Sequence, residues 1–204
     1  FENYKMFLEN PLNHNEQFGW IEVICGSMFS GKTEELIRRL KRAQLAKQKI
    51  EIFKPAIDQR FNKNFVTSHD DNQILSTTVS TAANIYIQAS DCQVIGIDEA
   101  QFFDDEIVKV CNDLANRGVR VIVAGLDMDF KGNPFGPMPA LMATAEYVTK
   151  LHAICAHSGN LAHFSYRKSE QKDLVVLGEK KDYEPLSRIA FCKMNEKKRK
   201  NKNL

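Results

Sequence analysis

The sequence of 204 residues lacks the features that mark fibrous, disordered and membrane-spanning chains. Its 6 prolines and 10 glycines are too few for a collagen-like or mucin-like chain, and its 43% of hydrophobic residues is too high for a disordered one. No apolar run approaches the roughly 20 residues that a bilayer span needs, and residues 1–18 are too polar for a signal peptide. We therefore expect a soluble, cytoplasmic chain that contacts no membrane, with one sizeable core and a small appendage.

Cysteine is also scarce. The chain has five cysteines, an odd number, and they are widely spaced, at Cys25, Cys92, Cys111, Cys155 and Cys192. This distribution favours reduced thiols over a disulfide framework.

The whole chain has no large excess of charge of one sign, since its net charge is +2, but its C-terminal end is strongly basic. Residues 193–204 hold six basic residues and one acidic residue, so this segment carries +5 and the rest carries −3. A run this short is most simply a solvated, frayed tail, and its attraction for a polyanion is modest. We expect no nucleic-acid partner.

Four apolar runs predict strands, at residues 20–25, 49–53, 94–97 and 119–124. They are short, β-branched and nearly continuous, which is typical of strands buried on both faces of a parallel sheet. Helical spacing of apolar residues follows Lys32 and precedes Gly118, a C-terminal stop signal. The alternation predicts an α/β domain over 19–149, with a parallel sheet flanked by helices.

The pattern changes near residue 147. Residues 147–154 and 164–166 look like short strands, turn-rich residues follow, and no helix of useful length is indicated. We predict a small β-rich domain over 150–192, with an N-terminal extension over 1–18 and the basic tail over 193–204.

The sharpest motif occupies residues 26–33, Gly-Ser-Met-Phe-Ser-Gly-Lys-Thr, which satisfies G-x-x-x-x-G-K-[ST] between an apolar strand and an amphipathic helix. Its glycines let successive backbone N–H groups face inward, where the helix dipole helps them hold an anion. Lys32 is expected to reach the β- and γ-phosphates, and Thr33 to offer its hydroxyl to Mg²⁺. The predicted phosphate-binding residues are Gly26, Ser27, Met28, Phe29, Ser30, Gly31, Lys32 and Thr33.

Two carboxylates, Asp98 and Glu99, follow the predicted strand at 94–97. A carboxylate at a buried strand end is the expected second Mg²⁺ residue of a phosphate-loop protein, so we assign that role to Asp98. Glu99 is placed to act as a general base on an attacking hydroxyl, or to orient water in an ATPase. Nucleoside triphosphate binding follows, with three interpretations open: a small-molecule kinase, an ATPase, or a nucleotide-binding module that grips nucleic acid with its basic tail.

Further blocks match one family. Besides residues 26–33 they are Phe-Lys-Pro-Ala-Ile-Asp-Gln-Arg at 53–60, Ile-Asp-Glu-Ala-Gln-Phe-Phe at 97–103, Ala-Gly-Leu-Asp-Met-Asp-Phe at 124–130, Pro-Phe-Gly at 134–136 and Thr-Lys-Leu at 149–151. On these blocks, which occur in order within about 19–190, the chain resembles the type II thymidine kinases, the cytosolic-like bacterial class. The resemblance implies a phosphate-loop kinase domain followed by a small lasso domain.

The resemblance implies a transferase that moves the γ-phosphoryl of ATP, with Mg²⁺, to the 5′-hydroxyl of thymidine or deoxyuridine. Its product, dTMP, belongs to deoxyribonucleoside salvage for DNA synthesis. A homotetramer and feedback inhibition by dTTP are also implied. Glu99 becomes the catalytic base, Lys32 neutralises developing phosphate charge, and Arg60, paired with Asp58, lies near the transferring group. Gln101 joins the nucleotide site.

The nucleoside slot implied by the resemblance combines apolar faces with a hydrogen-bonding edge. Ser165 matches the position near the 5-methyl group of the base, and the lasso contributes backbone groups of Val176 and Gly178. The implied substrate-binding residues are Met28, Asp58, Phe102, Leu126, Phe130, Phe135, Ser165, Val176, Gly178 and Tyr183.

The chain departs from the resembled family at its zinc site. The family holds a structural Zn²⁺ with two cysteine-containing pairs, whereas the matching positions here are Cys155, Ser158, Ser187 and Ala190. Only Cys155 survives, and one good ligand cannot close a tetrahedral site. A replacement set of His152, His157, His163 and Cys192 is conceivable. We nevertheless expect no structural Zn²⁺.

Overall fold

The computed structural model describes residues 18–57, 65–67, 73–89, 91–169 and 182–202. All but the last residue of the predicted N-terminal extension lies outside these ranges. The strands are β1 Trp20–Gly26, β2 Ile50–Pro55, β3 Phe65–Thr67, β4 Gln73–Leu75, β5 Thr77–Val79, β6 Val94–Ile97, β7 Arg120–Leu126, β8 Tyr147–Leu151, β9 Ala153–Ile154, β10 Leu161–Ala162, β11 Phe164–Arg167 and β12 Tyr183–Leu186. The helices are α1 Lys32–Leu45, α2 Ala82–Gln88, α3 Glu106–Asn116, α4 Met138–Thr144 and α5 Arg188–Lys202, with a 3₁₀ turn at Ala100–Phe102.

A six-stranded parallel sheet in the order β5-β2-β6-β7-β1-β8 forms the centre of the chain. Successive side chains of a strand point to opposite faces, and helices cover both. Leu36, Ile37 and Leu40 of α1 pack on the face that bears Ile24. Helices α2, α3 and α4 pack on the face that bears Ile21, Val23 and Cys25. The predicted α/β class and all four predicted strands are confirmed.

A buried ion cluster fixes α1 against the sheet. Glu22 of β1 is fully buried and accepts hydrogen bonds from Arg39 of α1 and from Arg120 of β7, each at 2.7 Å. Trp20 Nε1 donates to the same carboxylate. Buried charges are tolerated when they are paired and hydrogen-bonded in this way. The cluster therefore sets where the helix that follows the phosphate loop lies on the sheet.

The C-terminal part of the chain differs from the sequence-based expectation in two ways. β8 pairs in parallel with β1, so residues 150 and 151, which the sequence assigns to the small domain, lie in the large sheet. The end of the chain, expected to be a frayed tail with no helix nearby, forms α5. Phe191 and Ala190 of α5 are buried against Phe164 and Leu186 of the β11–β12 ribbon. The helix was missed because it has many lysines and few apolar residues, and these few become a packing surface once the ribbon lies against them.

Within the described ranges, no helix is both long enough and apolar enough to cross a membrane.

Candidate active site

Residues 26–33, here called the phosphate loop, connect β1 to α1, as the motif predicts. Gly26 and Gly31 have φ values of +147° and +83°, a region that favours glycine. A Cβ on Gly26 would lie 2.2 Å from the carbonyl oxygen of Leu151, so this glycine also permits close passage of β8. Lys32 Nζ donates to the carbonyl of Ser27 at 2.8 Å, which lays the ammonium group across the loop.

A further polar group of the loop, Ser30 Oγ, is buried, and the described residues offer it no hydrogen-bond partner. Such a group is costly in a folded protein unless something polar meets it. Its position in an anion-binding loop fits a phosphate ligand.

Thr33 and Asp98 meet at the carboxyl edge of the sheet. Thr33 Oγ1 donates to Asp98 Oδ2 at 3.4 Å, although the two residues follow strands that are separated by β7. A hydroxyl and a carboxylate are the oxygen donors that Mg²⁺ prefers. The donor chemistry thus fits the predicted magnesium role of these two residues.

Glu99 stands beside this pair in a left-handed backbone conformation, with φ +52°. Its N–H donates to Asp98 Oδ1 at 3.0 Å. Non-glycine residues adopt this region at a cost of about 1–3 kcal/mol and do so mainly at functional sites. The left-handed turn and the hydrogen bond to Asp98 fix the backbone of Glu99 directly beside the predicted magnesium residue.

Gln101 holds the Glu99 carboxylate. Its Nε2 donates to Glu99 Oε2 at 2.5 Å, and its Oε1 accepts from the N–H of Leu126 at 2.9 Å. Gln101 is 3% exposed. We predicted Gln101 as part of the nucleotide site, and the structure places it as a bridge between Glu99 and the end of β7. Gly125 leaves room for it, because a Cβ there would lie 2.9 Å from Gln101 Oε1.

Aromatic residues form a wall next to Glu99. The rings of Phe102 and Phe135 meet edge to face, with centroids 5.8 Å apart. Both rings are half-buried, as are Leu126 and Phe130, which lie at and after the end of β7. Partly exposed apolar side chains at the carboxyl edge of a parallel sheet are typical of a ligand cleft.

Ser165 of β11 contacts the phosphate loop. Its Oγ accepts a hydrogen bond from the N–H of Met28 at 2.9 Å. Two predicted nucleoside residues from distant parts of the chain are thereby in direct contact. Of the remaining predicted residues, Tyr183 is buried on β12, whereas Asp58, Arg60, Val176 and Gly178 lie outside the described residues.

Sequence reasoning missed Arg167. It is 2% exposed at the end of β11, its guanidinium lies over the ring of Phe130, and it donates to the hydroxyl of Tyr183. Arginine is rarely buried, so a single arginine in a short strand gives no sequence signal of such a role.

The former zinc positions also come together, but with other chemistry. Ser158 Oγ and Ser187 Oγ are 3.4 Å apart, and Ala190 N–H donates to Ser187 Oγ. Burial raises the pKa of the Cys155 thiol, but hydrogen bonds from Ser158, Ser187 and His157 outweigh burial and lower that pKa to about 6. Neutral hydroxyls are poor zinc ligands, so this donor set does not fit Zn²⁺.

The histidines that might have replaced it are divided. The rings of His152 and His163 meet edge to face with centroids 4.4 Å apart, while His157 Nε2 lies 3.4 Å from Glu184 Oε1. In the part of the chain that the structure describes, no three His, Cys, Asp or Glu side chains are grouped to hold a metal ion.

Sequence comparisons match this chain to thymidine kinases. A family model described as thymidine kinase matches residues 19–191. A thymidine kinase of Bacteroides thetaiotaomicron is 56% identical over 188 residues, 92% of this chain and 94% of the relative. One of Bacteroides fragilis is 58% identical over 186 residues, 91% of this chain and 94% of the relative. One of Rhodothermus sp. is 57% identical over 180 residues, 88% of this chain and 84% of the relative.

Solved structures with a similar arrangement include the flagellar accessory protein FlaH from Methanocaldococcus jannaschii. It shares 11% identity and a TM-score of 0.48, over 71% of this chain and 76% of that chain, too distant a likeness to bear on function.

The matched span contains the phosphate loop, the Asp98–Glu99 pair and the aromatic wall. The chain belongs to the thymidine kinase family, whose members are ATP-dependent transferases.

Proposed function

We propose that this protein transfers the γ-phosphoryl group of ATP to the 5′-hydroxyl of thymidine, and of deoxyuridine, to give the nucleoside monophosphate for deoxyribonucleoside salvage. The observation that carries the proposal is the contact between Met28 N–H and Ser165 Oγ. It joins the phosphate loop to the strand that borders the aromatic wall, so a triphosphate and a planar base have adjacent sites. The family relationship supports the same activity.

In the phosphate half of the site, inward-facing N–H groups of the loop and the first turn of α1 bind the phosphates of ATP. The Lys32 ammonium lies over the same loop and neutralises charge that develops on the transferring group. Thr33 and Asp98 are the residues that would hold Mg²⁺, which would neutralise phosphate charge when bound.

Glu99 acts as the general base in this proposal. Its carboxylate accepts the proton of the nucleoside 5′-hydroxyl as the oxygen attacks the γ-phosphorus, and the bond to the ADP oxygen breaks. The hydrogen bond from Gln101 fixes the carboxylate, so its orientation is set before the substrate arrives. Positioning and electrostatics, and no covalent intermediate, carry the reaction.

The half-buried faces of Phe102 and Phe135 provide an apolar slot for a pyrimidine ring. The roles of Asp58, Arg60, Val176 and Gly178 remain proposals that rest on the family resemblance alone. A homotetramer and dTTP feedback are proposals on the same ground. A cytoplasmic location and the lack of a nucleic-acid partner also remain proposals.

The deciding experiment measures ATP-dependent phosphorylation of thymidine, deoxyuridine, deoxycytidine and the purine deoxynucleosides by the wild type and by Glu99→Gln. We expect thymidine and deoxyuridine to be phosphorylated. The variant should lose about 10²–10⁴-fold in kcat with little change in ATP affinity. ATP hydrolysis without phosphoryl transfer to a nucleoside would identify an ATPase, and phosphorylation of deoxycytidine or the purine deoxynucleosides but not of thymidine would overturn the specificity.

A further inference from the structure

The guanidinium of Arg167 is the most deeply buried cation near the aromatic wall among the described residues, since Arg167 is 2% exposed. Removal of a cation from water is costly unless strong contacts replace its hydration. The position of Arg167 therefore calls for an explanation in terms of the groups that it touches.

The edge of the Arg167 guanidinium contacts Tyr183. Nε and Nη2 donate to the same phenol oxygen, at 2.9 and 2.7 Å. The two residues are direct partners in the antiparallel β11–β12 pair, so their side chains share one face of the ribbon.

Its face contacts Phe130, which belongs to the loop after β7 and therefore to the other part of the molecule. The guanidinium carbon lies 3.7 Å from the centroid of the ring. A cation over an aromatic face is favourable, and more so where water is excluded. Arg167 thus joins an aromatic residue of the small ribbon to one of the large domain.

The two hydrogen bonds also fix the position of the Tyr183 hydroxyl. Both N–H groups of Arg167 converge on the phenol oxygen, so the rigid guanidinium holds this hydroxyl at one place on the ribbon.

The same strand face reaches the phosphate loop. Ser165 and Arg167 are two residues apart, and alternate residues of a strand lie on one side, about 6.6 Å apart. Ser165 contacts Met28 of the loop, and Arg167 contacts Phe130 and Tyr183. One face of β11 therefore sets the distance between the phosphate loop and the aromatic residues.

We infer that Arg167 is a positioning residue for the nucleoside half of the site: it fixes Phe130 and Tyr183 relative to each other and to the phosphate loop, and it acts through them without touching the substrate. This inference rests on the proposed function.

The test uses Arg167→Lys, because lysine keeps the charge but has neither the planar face nor the two-pronged donor edge. We expect the KM for thymidine to rise about tenfold, with the KM for ATP within about twofold of wild type. Arg117→Lys is the matched control, since Arg117 also lies over a tyrosine ring, that of Tyr86 at 5.0 Å, but on an exposed helix end. The control should leave both KM values unchanged.

Tyr183→Phe and the double variant complete the test. If Arg167 acts through the Tyr183 hydroxyl, the double variant should raise the KM for thymidine no further than the larger single effect. Should Arg167→Lys fail to fold, Arg167→Gln, which keeps a planar donor group but not the charge, replaces it in the same measurements; a rise in the KM for thymidine alone supports the inference.

Three results overturn the inference while the proposed function stands: a wild-type KM for thymidine in either single variant, an equal rise in both KM values, or single effects that multiply. A wild type that phosphorylates no nucleoside overturns the proposed function and this inference together.

Discussion

Glu99 and Gln101 show how a strained backbone and one buried amide can aim a carboxylate. Glu99 has φ +52°, and Gln101 ties its side chain to the N–H of Leu126 at the end of the neighbouring strand. A residue in this backbone region needs surroundings that determine its position. Gln101 provides them from within the 3₁₀ turn that directly follows Glu99.

Replacement of Gln101 should therefore affect turnover. In Gln101→Ala we expect kcat to fall about 10- to 100-fold, with the KM for ATP nearly unchanged, because the base loses its orientation while the phosphate loop is intact. Steady-state kinetics and ATP titration measure the two effects. An equal loss of ATP affinity would instead assign Gln101 to nucleotide binding, as its motif position suggested.

The pKa of the Cys155 thiol differs between the folded and the unfolded chain by enough to affect stability as the pH changes. Hydrogen bonds from Ser158 and Ser187 lower its pKa from an ordinary value of 9.0 to about 6, against the effect of burial. Between these two pH values the unfolded chain binds the proton and the folded chain does not, so stability rises with pH across this window. This contribution to the free energy of unfolding decreases as the pH falls, and it is lost once the pH passes below the folded pKa.

We therefore expect the melting temperature of the wild type, relative to that of Cys155→Ala, to increase from pH 6 to pH 9. Thermal denaturation at several pH values measures this difference. Cys111→Ala is the contrasting variant, since burial raises the pKa of the Cys111 thiol to about 12 and no such slope should arise in that range. A constant difference between wild type and Cys155→Ala would contradict the prediction.

The β11–β12 ribbon and α5 depend on each other. A ribbon of two short strands is marginal alone, and α5 supplies the apolar cover that it needs. The rings of Phe164 and Phe191 stack with centroids 4.3 Å apart, and Lys198 Nζ donates to the carbonyl of Arg167 at 2.8 Å. The helix thereby supports the strand that bears Ser165 and Arg167.

Loss of the aromatic stack should loosen this element before the large sheet. For Phe191→Ala we expect a loss of about 3–5 kcal/mol in the stability of the ribbon and helix, from lost burial and a cavity. Hydrogen exchange should show faster opening of residues 161–167 and 183–198, with the amides of β1 and β7 still protected. Cys192→Ala, at an exposed site on the same helix, is the control. An equal loss of protection in β1 and β7 would contradict the prediction that the ribbon and α5 open separately from the large sheet.

These elements also show what the sequence could and could not predict. The strands β1, β2, β6 and β7 and the phosphate loop were predictable, because their signals are local: apolar runs and a motif of eight residues. The helix α5 was not, since its apolar residues are few and gain meaning only against the ribbon.

Arg167 was not predictable for a related reason. Its role depends on Phe130 and Tyr183, which come from two segments that only the fold brings together. The left-handed backbone conformation of Glu99 was not predictable either, because nothing in the sequence distinguishes such a glutamate from any other.

The molecule as a whole pairs a large parallel sheet with a small ribbon that is held by hydrogen bonds and aromatic packing. At the positions that match the structural Zn²⁺ site implied by the resemblance, this chain has Cys155 among serine hydroxyls. We propose that the small domain closes without a structural metal.

Metal analysis tests this proposal directly. We expect no stoichiometric zinc in the purified protein, and we expect a zinc-selective chelator to change neither the melting temperature nor the activity measured with excess Mg²⁺. One zinc per chain by elemental analysis would defeat the proposal.

The placement of Ser165, Arg167 and Tyr183 late in the sequence has a consequence for biosynthesis. Translation proceeds from the N-terminus, and the six-stranded sheet is complete once Leu151 has left the ribosome. A nascent chain at that stage has its phosphate loop, Thr33 and Asp98, but the strand that spaces the loop from the aromatic wall has not yet been added. In terms of the proposed function, the residues that hold the triphosphate are therefore synthesised before Ser165, Arg167 and Tyr183, which border the site of the phosphoryl acceptor.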